Sequence, residues 1–125
     1  MSILIPVSAG ELVDKITILR VKAARIAGAE KQANVRKELA LLEAVAAQAL
    51  PDLAELEAEL EAVNGQLWDI EEGKRDCERR GEFGPEFIAL ARSVYVENDH
   101  RAAIKRRINE AVGSELIEEK SYRPY

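Results

Sequence analysis

Apolar residues recur along this chain at steps of three and four, the period of an amphipathic helix. Leu12, Val13, Ile16, Leu19, Ala23 and Ile26 line one face of a first helix predicted over 8–27, opened by the capping-box pattern Ser8-Ala9-Gly10-Glu11 and stopped at Gly28. Ile18 and Val21 fall on its opposite side, so this helix is expected to be covered on both faces, either as a central element or as an oligomer contact. Val35, Leu39, Leu42, Ala46 and Ala49 define a second helix over 30–49, which Pro51 ends. Leu53, Leu56, Leu60, Val63, Leu67 and Ile70 alternate steps of three and four through a third helix over 52–80, the pattern of a knobs-into-holes seam. Lys74 interrupts that stripe after about three heptads, which favours an antiparallel hairpin within the chain over a parallel coiled coil. Gly81-Glu82-Phe83-Gly84-Pro85 reads as the turn into a fourth helix over 85–112, and residues 113–125 as a charged tail lying on the bundle. The expectation is a single all-α domain, 1–125, built as an antiparallel helical bundle or helical hairpins behind a short extended N-terminal segment.

Composition agrees with that pattern: 47% of residues are apolar, 33% charged and only 5% aromatic, the usage of amphipathic helices rather than sheets. The single Cys77 can form no internal disulfide, and the apolar start Ile3-Leu4-Ile5-Pro6-Val7 is too short for a signal peptide or a membrane span, so a cytoplasmic protein without membrane contact is expected. Net charge is −5, with eight acids and no Lys or Arg between residues 50 and 72, leaving the rest of the chain net basic. A solvated helix face accounts for the acids, and the lack of a basic stripe on any long face argues against a nucleic-acid partner.

The fourth helix breaks its own pattern. Advancing about 100° per residue, Phe87, Leu90, Ala91, Val94, Ile108 and Val112 form one apolar stripe, and Asn98, Arg101 and Lys105 fall in its middle. An unpaired charge is costly to bury, so these three either line an open site or meet partners elsewhere. Folding helices three and four about the turn sets opposite each other residues whose numbers sum to about 165 at the ~1.5 Å rise of both helices. That register places Asn64, Trp68 and Glu71 as the expected partners of Asn98 and Arg101, and Glu59 as that of Lys105. One reading is a satisfied polar network that fixes the hairpin register; the other is a small-anion pocket in which the Arg101 fork, Lys105 and Asn98 hold a phosphate or carboxylate. Arg101→Met separates them, being nearly neutral in an open pocket and costly, by a few kcal/mol, if Arg101 neutralises a buried acid. Asp99-His100 is discounted as an acid-base pair because neighbours on a helix diverge by about 100°. No metal-ligand spacing, nucleotide loop or nucleophile elbow is present, and no cofactor is expected.

Several stretches taken together resemble a small bacterial family catalogued only as a domain of unknown function. They are Ile5-Pro6-Val7-Ser8 with Gly10-Glu11-Leu12-Val13-Asp14-Lys15-Ile16-Thr17-Ile18-Leu19, Asn64 with Leu67-Trp68-Asp69-Ile70-Glu71, Phe87 through Tyr95, Asn98-Asp99 with Arg101, and Glu118 through Tyr122. The resemblance covers nearly the whole chain and implies a free-standing bacterial protein of this length, without bringing catalytic residues. The run from Leu12 to Ile26, with Arg20 and Arg25, is also similar to the first helix of the all-helical chorismate mutases. The function expected is binding or assembly, as a homodimer through helix one or the helix-three seam, with a small anion as the candidate ligand. The alternative is a small enzyme on a phosphorylated or carboxylated metabolite, with Arg92, Arg101 and Lys105 as anion clamps and Glu71 as acid or base.

Overall fold

A computed structural model describes residues 1–125. The chain is all-α, with helices α1 (Ala9–Arg25), α2 (Ala29–Ala49), α3 (Ala54–Arg80) and α4 (Pro85–Val112), and no strand. Ser8 caps α1 by accepting from the Glu11 amide at 3.1 Å. The reciprocal half of the capping box is absent, because the Glu11 carboxylate is drawn instead to the Lys105 ammonium at 2.9 Å. That charge-assisted bond outweighs a bond to an N-cap amide. Asp52 opens α3 by accepting from the Ala54 amide. Gly81 and Gly113 close α3 and α4 in the left-handed region, both with φ of 65°.

The arrangement is three layers deep. α3 and α4 form the antiparallel hairpin, α1 packs on both of them near its open end, and α2 touches only α1. Glu59 bonds Arg107, and Gly73 packs against Leu90, so the hairpin has the register that the helical pattern sets. Val13 of α1 joins Leu60, Val63, Ile104 and Ile108 in the central cluster, with Leu53, Leu56 and Leu67 of the seam packed around it. The two apolar faces of α1 are thus both used inside the chain, one against the hairpin and one against α2. The acids of α3 are ion-paired across helices: Glu57 and Glu61 meet Arg20, Asp69 meets Arg25 and Glu59 meets Arg107. These exposed pairs each add about 1 kcal/mol or less, so apolar packing holds the layers together. No helix is long and apolar enough to cross a membrane.

Candidate functional site

Three helical stripes converge where α1 lies across the hairpin. Gly10, Asp14 and Thr17 share one side of α1 at spacings of four and three, Asn98, Arg101, Lys105 and Asn109 follow the same rule on α4, and Asn64 faces them from α3. Asp14 is the hub. Its carboxylate, 3% exposed, accepts from Arg101 Nε at 2.9 Å through Oδ1 and from Arg101 Nη2 at 2.5 Å through Oδ2. Oδ1 also accepts from the Asn64 amide at 3.0 Å. The second Asn64 hydrogen goes to Thr17 Oγ1 at 2.9 Å, and Thr17 donates in turn to the Asp14 carbonyl. Asn98 receives a long contact from Arg101 Nη1 at 3.5 Å. The Lys105 ammonium, 7% exposed, donates to Glu11 at 2.9 Å and to Glu118 at 3.0 Å, with Asp14 Oδ2 at 4.0 Å.

The electrostatics follow from these partners. The hydrogen bond to Asp14 raises the Arg101 pKa above its ordinary value, against the opposing effect of burial. Burial is the largest influence on Lys105 and acts to lower its pKa, but the bonds to Glu11 and Glu118 and the charge of Asp14 together carry it above the ordinary value. Both cations therefore stay charged at neutral pH and are already neutralised by the chain's own carboxylates.

The approach of α1 to α4 is close enough to need glycine. The Gly10 amide donates to Asn109 Oδ1 at 2.7 Å, and a Cβ at residue 10 would lie 2.6 Å from the Lys105 carbonyl oxygen. Asn109, 1% exposed, anchors the start of α1.

The residues singled out in the sequence separate into three places. Asn64, Trp68, Glu71 and Arg101 come together around an open cleft of about 380 Å³, with Ile18, Leu67, Glu72 and Arg75 completing its wall. Lys105 lies outside it, beneath the tail, in a smaller cleft. Arg92 is exposed and sits farther along α4 beside Tyr95 and Tyr125. Glu59 does not meet Lys105, because residues 105 and 107 project about 200° apart on α4 and Arg107 is the one turned toward α3. Glu71 pairs with Lys74 and Arg75 rather than with Arg101. His100 is largely exposed with Glu97 as its nearest acid, while Asp99 accepts from Tyr125. No three His, Cys, Asp or Glu side chains gather as a metal-ligating cluster.

Asp14, Glu11, Thr17, Asn109 and Glu118 are the partners that a reading confined to the hairpin misses. The available signal was α1 itself: in a helix apolar on two sides, an acid between Val13 and Ile16 is forced toward buried cations.

A family model described as "Family of unknown function (DUF6165)" matches residues 3–124. The chain belongs to this family. The match takes in all four helices of the DUF6165 fold described above and the tail that covers Lys105. No curated protein and no solved structure matches the chain.

Proposed function

We propose that the protein acts by binding, and that the cleft at Trp68 takes a small polar ligand. The observation that carries this reading is the convergence of Asn64, Trp68, Glu71 and Arg101 on one open space of about 380 Å³, within the ~300–1,000 Å³ of ordinary small-molecule sites. Its back wall is the satisfied Asp14 network, which holds Arg101 and Asn64 rigid. Asn64 spends both amide hydrogens on α1, leaving its oxygen as an acceptor, while Arg101 keeps N–H groups beyond the pair used by Asp14. Trp68 and Leu67 supply an apolar surface, and Arg75 with the acids Glu71 and Glu72 supplies charged groups along its rim.

The clamp that an enzyme on a phosphorylated or carboxylated metabolite would use is spread over three separate places, with Lys105 held by carboxylates, and this weighs toward binding. Trp68 is the single tryptophan of the chain, so its fluorescence reads the cleft directly. Phosphosugars, nucleotides and dicarboxylates are to be titrated against Trp68 emission and against the melting temperature. A saturable emission change accompanied by a higher melting temperature is expected for at least one class. Silence of both readouts across the panel at millimolar concentration would remove the proposal.

Self-association and a bacterial cytosolic setting belong to the same reading. The α1 faces and the α3 seam are spent within the chain, so a homodimer would use the outer face of α2, where Leu41 and Val45 are 60% and 52% exposed. Sedimentation at micromolar concentration is expected to show twice the 13.9 kDa chain mass; a monomer alone would reject the dimer.

A further inference from the structure

Beyond α4 the chain turns back on itself. Gly113, with φ of 65°, reverses its direction, and residues 114–125 run antiparallel along the helix they have just left. Glu118 accepts from Lys105 at 3.0 Å, Glu119 meets Arg106 at 3.5 Å, and Tyr125 packs on Tyr95 with ring centroids 5.0 Å apart while donating to Asp99 at 2.7 Å. Two acids and an aromatic of the tail are thus matched to two cations and an aromatic of α4.

The tail is a loosely held occupant. Glu119 is 75% exposed and Tyr125 81%, and ion pairs at such positions hold weakly. Lifting it strands no charge, because Lys105 keeps Glu11 at 2.9 Å and Asp14 at 4.0 Å when Glu118 departs, and Arg106 keeps Glu110 at 3.2 Å when Glu119 does. The space between tail and helix, about 190 Å³, falls below the ~300 Å³ at which small-molecule sites begin. What the surface fits is therefore an extended chain.

We propose that this face of α4 is a docking groove for an acidic peptide segment of a partner protein, and that residues 113–125 occupy it as a displaceable internal ligand. Lys105 and Arg106 receive two adjacent acids, and Tyr95 with Asp99 receives an aromatic hydroxyl six residues beyond the second. The groove shares no lining residue with the cleft at Trp68 and stands whether or not that cleft binds a ligand.

The test uses the full chain and a fluorescein-labelled peptide of residues 113–125, read by fluorescence polarisation. Loosening the tail with Glu118→Gln and Glu119→Gln together frees the groove, so the peptide is expected to bind this variant about tenfold more tightly than the wild type, whose binding-competent fraction is smaller. Adding Arg106→Glu, at a half-exposed position, is expected to abolish that gain, and binding is expected to weaken as salt rises. Circular dichroism checks that the helices are intact in each variant. No binding to any variant, or an equal response from a scrambled peptide, would overturn the proposal. Displacement by inorganic phosphate as effective as by unlabelled peptide would replace the groove with a simple anion site. A wild-type dimer dissolved by the double glutamine variant would name a second copy, not another protein, as the occupant.

Discussion

Arg101→Met is expected to lower the unfolding free energy by about 3–5 kcal/mol, the range seen when one partner of a buried ion pair is removed. The reason lies in what remains. Asp14 is 3% exposed, and with Arg101 gone its carboxylate keeps only the Asn64 amide and the Lys105 ammonium at 4.0 Å. The reverse substitution, Asp14→Leu, is expected to cost less, about 2–4 kcal/mol on the same scale, because the Arg101 side chain is 30% exposed and can turn toward water. Replacing both, as Asp14→Leu with Arg101→Met, removes the stranded charge from either side and is expected to recover most of the loss. Urea denaturation of the four proteins closes the cycle. A stability within 1 kcal/mol of wild type for Arg101→Met, with an unchanged m-value, would show that the pair is no more than a surface contact.

The second large effect belongs to Gly10→Ala, expected to destabilise by about 1–3 kcal/mol, as overpacking of a close contact does. On helix propensity alone the substitution would gain about 0.5–1 kcal/mol, so a loss means that packing decides. The added methyl would sit 2.6 Å from a backbone oxygen of α4 and 3.1 Å from Asn109 Oδ1, and neither a helix backbone nor an asparagine bonded to the Gly10 amide can yield cheaply. Relief requires α1 to move off α4, which also lengthens the bonds from Lys105 to Glu11 and from Arg101 to Asp14. Thermal melts of wild type and Gly10→Ala read this directly; an equal or higher melting temperature would mean that α1 approaches less closely than described.

How much of this was written in the sequence depends on the distance between partners along the chain. The hairpin was legible because Leu53 through Ile70 and the turn at Gly81 constrain one another locally, and the register that brings Glu59 to Arg107 follows from counting residues. The capping Ser8 was legible for the same reason. The polar break at Asn98, Arg101 and Lys105 is visible as a break, but α3 is the one helix whose register against it can be counted. The true partners, Glu11 and Asp14, come from α1, and nothing local sets the angle at which α1 crosses α4. That angle is set by Gly10, a residue that reads in sequence as part of a cap. Glu118 was hidden differently, because a tail without periodicity carries no pattern from which a docking position can be counted.

The separation of those partners also sets an order of events in folding. Asp14 and Arg101 are 87 residues apart, and Glu11 and Lys105 are 94 apart, so closing them costs loop entropy that the α3–α4 hairpin, joined by a short turn, does not incur. The hairpin is therefore expected to form first, with α1 arriving on a surface already made. If α1 docks after the rate-limiting step, substitutions at Asp14 or Gly10 are expected to leave the refolding rate almost untouched while the native chain opens faster, which stopped-flow refolding and unfolding check. On that order the polar hub is a latch on the finished fold, expected to set how long the protein stays closed rather than how quickly it is made.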